Sequence, residues 1–280
     1  MKLNIALFLI LSACMPQLFA GIGIRQDVAY TANAENRRNL LDVYYPEDIS
    51  TPKDVVVFIH GGSWDSGNKE TYRWLGKNMA RRNLVSVIIN YSLSPEVQFE
   101  KMALDCAFSV KWVKENVAEL GGRPDRIFVM GHSAGGHLAA LINNDPRFFK
   151  QVGIPNPIRG VILNDSFGLD MFEFLNAARP DKRTRSFLQT FSTDKNLWML
   201  GSPNYYLANV NNPYLIFVGE RTYPVIKLQS YRLYQNLTRM NKTTEYELIP
   251  HKRHKGMIIQ MFFSHNRMYD RIIAFMKKYS

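Results

Sequence analysis

The chain has 280 residues, 46% hydrophobic and 21% charged, with 17 glycines and 13 prolines. These proportions exclude disordered, collagenous and low-complexity classes, and the length is enough for one domain around a full hydrophobic core. The formal net charge of +11 is scattered along the chain without a nucleic-acid-binding motif. It therefore reads as a soluble basic protein, or one drawn to anionic surfaces, and argues against nucleic acid as a partner.

The opening residues MKLNIALFLILSAC set Lys2 ahead of an apolar run over residues 3–11. The run is too short to span a bilayer as a helix, and the pattern is that of a secretory signal. Leu11-Ser12-Ala13-Cys14 also resembles a bacterial lipobox, whose cysteine becomes the lipidated first residue of the mature chain. The expectation is a signal within residues 1–20, cleaved before Cys14, and an exported, membrane-anchored lipoprotein. Ordinary cleavage after Ala20, giving a periplasmic or secreted protein, is the alternative. The other cysteine, Cys106, falls on a predicted helix and is expected to be a buried, unpaired thiol.

Residues 40–44 predict the first strand of the domain, paired with residues 28–30. The continuous apolar runs at residues 55–59 and 85–89 fit strands buried on both faces of a parallel sheet. Helical spacing follows each of them, over residues 71–82 and 101–118. A strand at residues 127–130 leads through a glycine-rich turn into an apolar helix reaching Ile142. Strands are predicted at residues 161–163, 215–218 and 244–249, and helices at residues 227–240 and 266–278. Strand and helix alternate, which predicts an α/β fold with a mainly parallel sheet and helices on both faces. The stretch at about residues 166–212 is too long for a simple crossover and is expected to be a small cap inserted over the site. Its Phe172, Phe174, Phe187, Phe191 and Trp198 either line an apolar pocket or pack the cap.

Three signals carry chemistry. Gly131-His132-Ser133-Ala134-Gly135 lies between a predicted strand and a predicted helix. In that setting the serine sits on a tight turn with its hydroxyl exposed at the carboxyl end of the sheet, so Ser133 is the expected nucleophile. His60-Gly61-Gly62-Ser63-Trp64 follows a buried strand. Glycines there let backbone N–H groups face a developing oxyanion, so Gly61, Gly62 and Ser63, together with Ala134, are the expected oxyanion hole. His60 reads as a structural hydrogen-bonding group, and Trp64 as either a pocket wall or core. After the last strand come His251 and His254, of which His254 is favoured as the general base. Lys252, Arg253 and Lys255 beside it disfavour imidazolium unless solvent screens them or a carboxylate compensates. The nearest carboxylate after the strand at residues 215–218 is Glu220, the expected acid. Asp170 is the reserve, and Asp165 is set aside as too close to its strand end.

With these residues in place, the chain resembles the α/β-hydrolase superfamily, in the branch of carboxylesterases, feruloyl and acetyl-xylan esterases and kynurenine formamidases. The resemblance runs from about Leu40 onward. It is carried by residues 60–64, Asn90-Tyr91-Ser92-Leu93, the helix from Asp105 to Trp112, residues 125–138 and Gln229-Ser230. It implies a serine esterase that acts on a small-molecule ester, of short to medium acyl or aryl type, through an acyl-enzyme. No metal or organic cofactor is implied. The same residues would serve an arylformamidase-type amide hydrolase, and a non-catalytic binding protein is the rival from another class. One departure stands out: where the family usually carries the acid aspartate, this chain has Thr222.

Overall fold

The computed structural model describes residues 21–32 and 36–279. The export segment and Cys14 lie outside the described residues. An eight-stranded sheet has the order β1-β2-β4-β3-β5-β6-β7-β8. Its strands are β1 (Ile22–Ala29), β2 (Leu40–Pro46), β3 (Lys53–Ile59), β4 (Val85–Ile89), β5 (Gly122–His132), β6 (Ile158–Asn164), β7 (Tyr214–Gly219) and β8 (Thr244–Ile249). β2 runs antiparallel to both β1 and β4. From β4 to β8 every pairing is parallel. Parallel neighbours need crossovers, and the helices supply them.

The alternating residues of the central strands feed two cores. Val55, Val57 and Ile59 of β3, with Ile127 and Val129 of β5, face one layer. That layer holds helices α2 (Phe99–Asn116), α3 (Ala134–Asn144) and α8 (Pro224–Arg239). Val56 and Phe58, with Phe128 and Met130, face the other, which is closed by α1 (Arg73–Ala80), α9 (His254–Ile259) and α10 (Arg267–Lys278). Burial on both faces is why these strands read as unbroken apolar runs. The expected strands at residues 85–89 and 244–249 coincide with β4 and β8. A short helix α4 (Arg147–Gln151) follows α3; five residues carry too little periodicity to announce it. Cys106 is buried on α2 and free.

Between β6 and β7 the chain forms α5 (Met171–Ala177), α6 (Lys182–Phe191), α7 (Lys195–Leu200) and a 3₁₀ stretch, Pro203–Asn209. Asp170, Asp181 and Asp194 each cap one of the three helices by accepting a backbone N–H of the first turn, which satisfies donors the helix leaves open. Phe187 and Phe191 of α6 pack edge-on against Trp64, at 5.6 and 5.0 Å between ring centres. Trp64 is fully buried and is therefore core.

Candidate active site

The parallel strands end on one rim, and the three chemical segments of the sequence meet there. β5 stops at His132, and α3 begins at Ala134. Ser133 joins them with φ 55° and ψ −124°, a conformation costing on the order of 1–3 kcal/mol unless its surroundings impose it. The surroundings do. Ser133 donates its N–H to the Asn164 carbonyl at 3.2 Å, and its own carbonyl accepts N–H groups from Gly136, His137 and Phe167. A Cβ on Gly131 would lie 2.2 Å from the Gly135 oxygen, and one on Gly135 would lie 2.1 Å from the Ile59 oxygen. Neither glycine can be replaced without moving backbone.

His254 is the first residue of α9, just past the turn that follows β8. Ser133 Oγ donates to His254 Nε2 at 2.8 Å. The other ring nitrogen, Nδ1, donates to Asp165 Oδ2 at 2.6 Å. Asp165 is fully buried. Its Oδ1 accepts the Gly219 N–H at 2.8 Å, and its Oδ2 also accepts the Thr222 hydroxyl. An acceptor-only carboxylate on Nδ1 fixes the proton there and leaves Nε2 to accept from serine.

The expected acid is corrected by this arrangement. Glu220 does not face His254. It is exposed, and its carboxylate accepts the His251 N–H at 2.6 Å and lies 3.2 Å from His251 Nδ1. The sharp turn after β7 directs it out to solvent. Asp170, the reserve, accepts the Glu173 N–H as the cap of α5. Its backbone is held by Gln229, which donates to the Asp170 carbonyl at 2.8 Å. Asp165, set aside as too near its strand, is the residue that meets the imidazole. It adopts φ 53°, a left-handed turn that aspartate tolerates better than most residues. That turn, immediately after β6, swings the carboxylate under the end of β7. The readable signal was the pairing of a turn-tolerant aspartate with a hydroxyl donor at position 222.

The loop after β3 lies against the serine. A Cβ on Gly61 would stand 2.8 Å from the His132 oxygen and 3.1 Å from Ser133 Cβ, so only glycine permits this approach. Gly62 and Ser63 follow with φ of 131° and 52°. Among the described residues, no backbone or side-chain acceptor takes the N–H of Gly62, Ser63 or Ala134. Gly61, Gly62, Ser63, Ser133 and His254 all border one cavity of about 390 Å³. Of the aromatic residues expected to shape the pocket, Phe187, Phe191 and Trp198 are core and Phe172 and Phe174 pack against it; the phenylalanine that borders the cavity is Phe167, which that expectation did not include.

Three histidines besides His254 support the site without joining the relay. His132 stacks on His254 with ring centres 4.9 Å apart and donates from Nε2 to the His254 carbonyl at 3.2 Å. Burial, and then the neighbouring His254, pull its pKa down to about 4, so His132 stays neutral beside the imidazole. His137 accepts the Trp64 indole N–H at 3.2 Å and reaches the Gly201 carbonyl at 2.6 Å. It thereby ties the loop after β3 to the cap. His60 lies buried against Tyr91 with ring centres 4.4 Å apart. His251 is exposed with Glu220. Arg253 and Lys255 are exposed as well, so water screens them from His254.

The sheet order, the strand–serine–helix turn and the imidazole at the strand ends define an α/β-hydrolase. Esterase B of Lactobacillus rhamnosis shares the fold, with a TM-score of 0.78, 19% identity and coverage of 92% of this chain and 87% of that one. A truncated carbohydrate esterase from gut microbiota superposes with a TM-score of 0.77 at 18% identity, over 93% of this chain and 97% of that one. The chain belongs to the BD-FAE family, whose sequence model matches residues 41–237. Among curated relatives, esterase LipQ of Mycobacterium tuberculosis is 30% identical over 206 residues, 69% of this chain and 48% of that protein. The isoprenylcysteine alpha-carbonyl methylesterase ICME of Arabidopsis thaliana is 35% identical over 117 residues, 42% of this chain and 27% of that protein. The chain spans about half the length, or less, of the curated relatives it matches.

Proposed function

We propose that the protein is a serine carboxylic-ester hydrolase working through an acyl-enzyme. The observation that carries this reading is the continuous relay from Ser133 Oγ through His254 to the buried Asp165, at 2.8 and 2.6 Å. The esterase names of its relatives support it. Ser133 Oγ attacks the ester carbonyl carbon while His254 Nε2 takes its proton. The carbonyl oxygen becomes an oxyanion facing the N–H groups of Gly62 or Ser63 and of Ala134. The tetrahedral intermediate then expels the alcohol, which receives the proton from His254. A water, deprotonated by the same imidazole, attacks the acyl-enzyme and releases the acid and Ser133. Asp165 holds the imidazole in register and stabilises its positive charge.

The test is labelling by a fluorophosphonate together with turnover of 4-nitrophenyl esters. Wild-type protein is expected to label and turn over, and Ser133→Ala to do neither. A folded wild-type preparation that neither labels nor hydrolyses would defeat the proposal.

We also propose that the protein is exported from a bacterial cytoplasm and anchored through lipid on Cys14. Lys2, the apolar run over residues 3–11 and Leu11-Ser12-Ala13-Cys14 support this reading. Mass spectrometry of the mature N-terminus decides it: a lipid-modified chain beginning at Cys14 is expected, and an unmodified chain beginning after Ala20 refutes the anchor.

A further inference from the structure

We infer that this site selects esters bearing a second, anionic group, a carboxylate, which docks on Arg183; the inference rests on the esterase reading. Two cationic side chains, Arg183 and Lys255, border the cavity that contains Ser133, and no carboxylate does. A neighbouring hollow of about 520 Å³ shares Tyr223, His254 and Lys255 with it and adds Arg221 and Arg253, again without a carboxylate. The chain as a whole has 24 acidic residues against 35 basic ones, whereas none of the acidic residues borders either hollow.

Arg183 is held in place by aromatic faces and not by an ion pair. It sits near the start of α6, and its guanidinium carbon lies over the rings of Phe167, Phe187 and Tyr223 at 5.5, 5.4 and 5.2 Å. Tyr223 continues the wall to His254, with ring centres 5.3 Å apart. Packing on aromatic faces restrains a guanidinium while leaving its N–H edge available, and that fork matches a carboxylate bidentately. Among the described residues, no acidic side chain forms an ion pair with Arg183 or Lys255. The nearby acids are otherwise engaged. Asp165 holds His254, Glu220 holds His251, and Asp181 caps α6, where the first-turn N–H groups and then the Arg183 charge hold its carboxyl below the usual range without an ion pair. Asp65 is exposed, does not border the cavity and accepts from Ser186 at 3.1 Å. Single-sign walls around a concave site concentrate counter-charged substrate. Arg183 is thus a specificity residue contributed by α6, bordering the same cavity as the hydroxyl that attacks.

The probes are mono-4-nitrophenyl adipate and 4-nitrophenyl hexanoate, which have the same leaving group and acyl length and differ in the terminal carboxylate. At low salt kcat/KM for the adipate is expected to exceed that for the hexanoate by roughly tenfold. The preference should shrink toward unity in 1 M NaCl, where the screening length drops to about 3 Å. Arg183→Met should remove most of the preference, and Arg183→Glu should invert it. Both esters are measured on one preparation, so a folding defect lowers both rates and leaves their ratio readable. Equal rates or a hexanoate preference in the wild type, or an unchanged ratio in Arg183→Met, overturns the inference while Ser133-dependent hexanoate turnover keeps the esterase reading. If neither ester is hydrolysed, both fail together.

Discussion

Asp165 carries the electrostatics of the site from an unusual position, at the end of β6, where its carboxylate collects three donors: the Gly219 N–H, the Thr222 hydroxyl and His254 Nδ1. Replacing it with asparagine keeps the shape but offers the imidazole a neutral amide, and loss of a triad carboxylate lowers kcat by about 10⁴. Asp165→Asn is therefore expected to lose about four orders of magnitude in steady-state ester hydrolysis, while Glu220→Ala stays within about twofold, because its partner is the exposed His251. The reverse ranking would show that the acid has been misassigned. Thr222 stands where relatives of this fold usually carry the acid, and here it supports the acid instead. Thr222→Val removes one donor to a buried carboxylate; such bonds are worth roughly 1.5–3 kcal/mol, so kcat should fall about tenfold or more at little change in KM. Because the Thr222 hydroxyl bonds the same Asp165 oxygen that His254 Nδ1 reaches, the double variant Asp165→Asn/Thr222→Asp is expected to recover part of the activity that Asp165→Asn loses. Recovery to no more than the single variant's rate would argue against the two positions being exchangeable.

The cap is an element with its own core, and α6 joins it to the catalytic rim. Phe191 is fully buried, stacks on Phe99 of α2 at 5.3 Å and meets Trp64 and His137 at 5.0 and 5.5 Å. It therefore links the cap, α2, α3 and the loop that carries Gly61 to Ser63. Phe→Ala in such a core costs about 3–5 kcal/mol. Phe191→Ala is expected to lower the unfolding free energy by that amount, read in a urea titration, and to reduce activity further than global stability alone predicts, since Trp64 loses its packing. Full activity at a temperature where the variant remains folded would show that the loop holds its geometry without α6. That the chain between β6 and β7 is more than a simple crossover was legible in its length. Which of its aromatic residues face the cavity was not, because short helices in an irregular segment give too few turns for their buried side to emerge.

For the molecule as a whole, acid is the weak flank. His60, His132 and His137 are each buried neutral, with pKa values lowered from 6.5 to about 4 by desolvation. An unfolded chain takes up these protons near pH 6.5, and the folded one resists until near pH 4. Stability contributed by their neutrality is thus complete above pH 6.5 and lost as pH falls from 6.5 toward 4. The melting temperature is expected to drop steeply over that interval and to change little from pH 7 to 8, measured by circular dichroism. His137→Asn should flatten the acid limb of that curve, and an unaltered limb would exclude His137 as a contributor.

The sheet, its crossovers, the serine turn and the glycine loop are all legible in the amino-acid sequence, because each rests on local rules: unbroken apolar runs at residues 55–59 and 85–89 make doubly buried strands, and Gly131, Gly135 and Gly61 mark backbone approaches that no side chain survives. It also placed His254 after the last strand. Which carboxylate meets that histidine is set in three dimensions. Asp165 and His254 are 89 positions apart, and their meeting depends on a left-handed turn at one residue and on the parallel register of β6, β7 and β8. Chain order favours the acid nearest in sequence, whereas a hydrogen bond answers only to distance and direction in space.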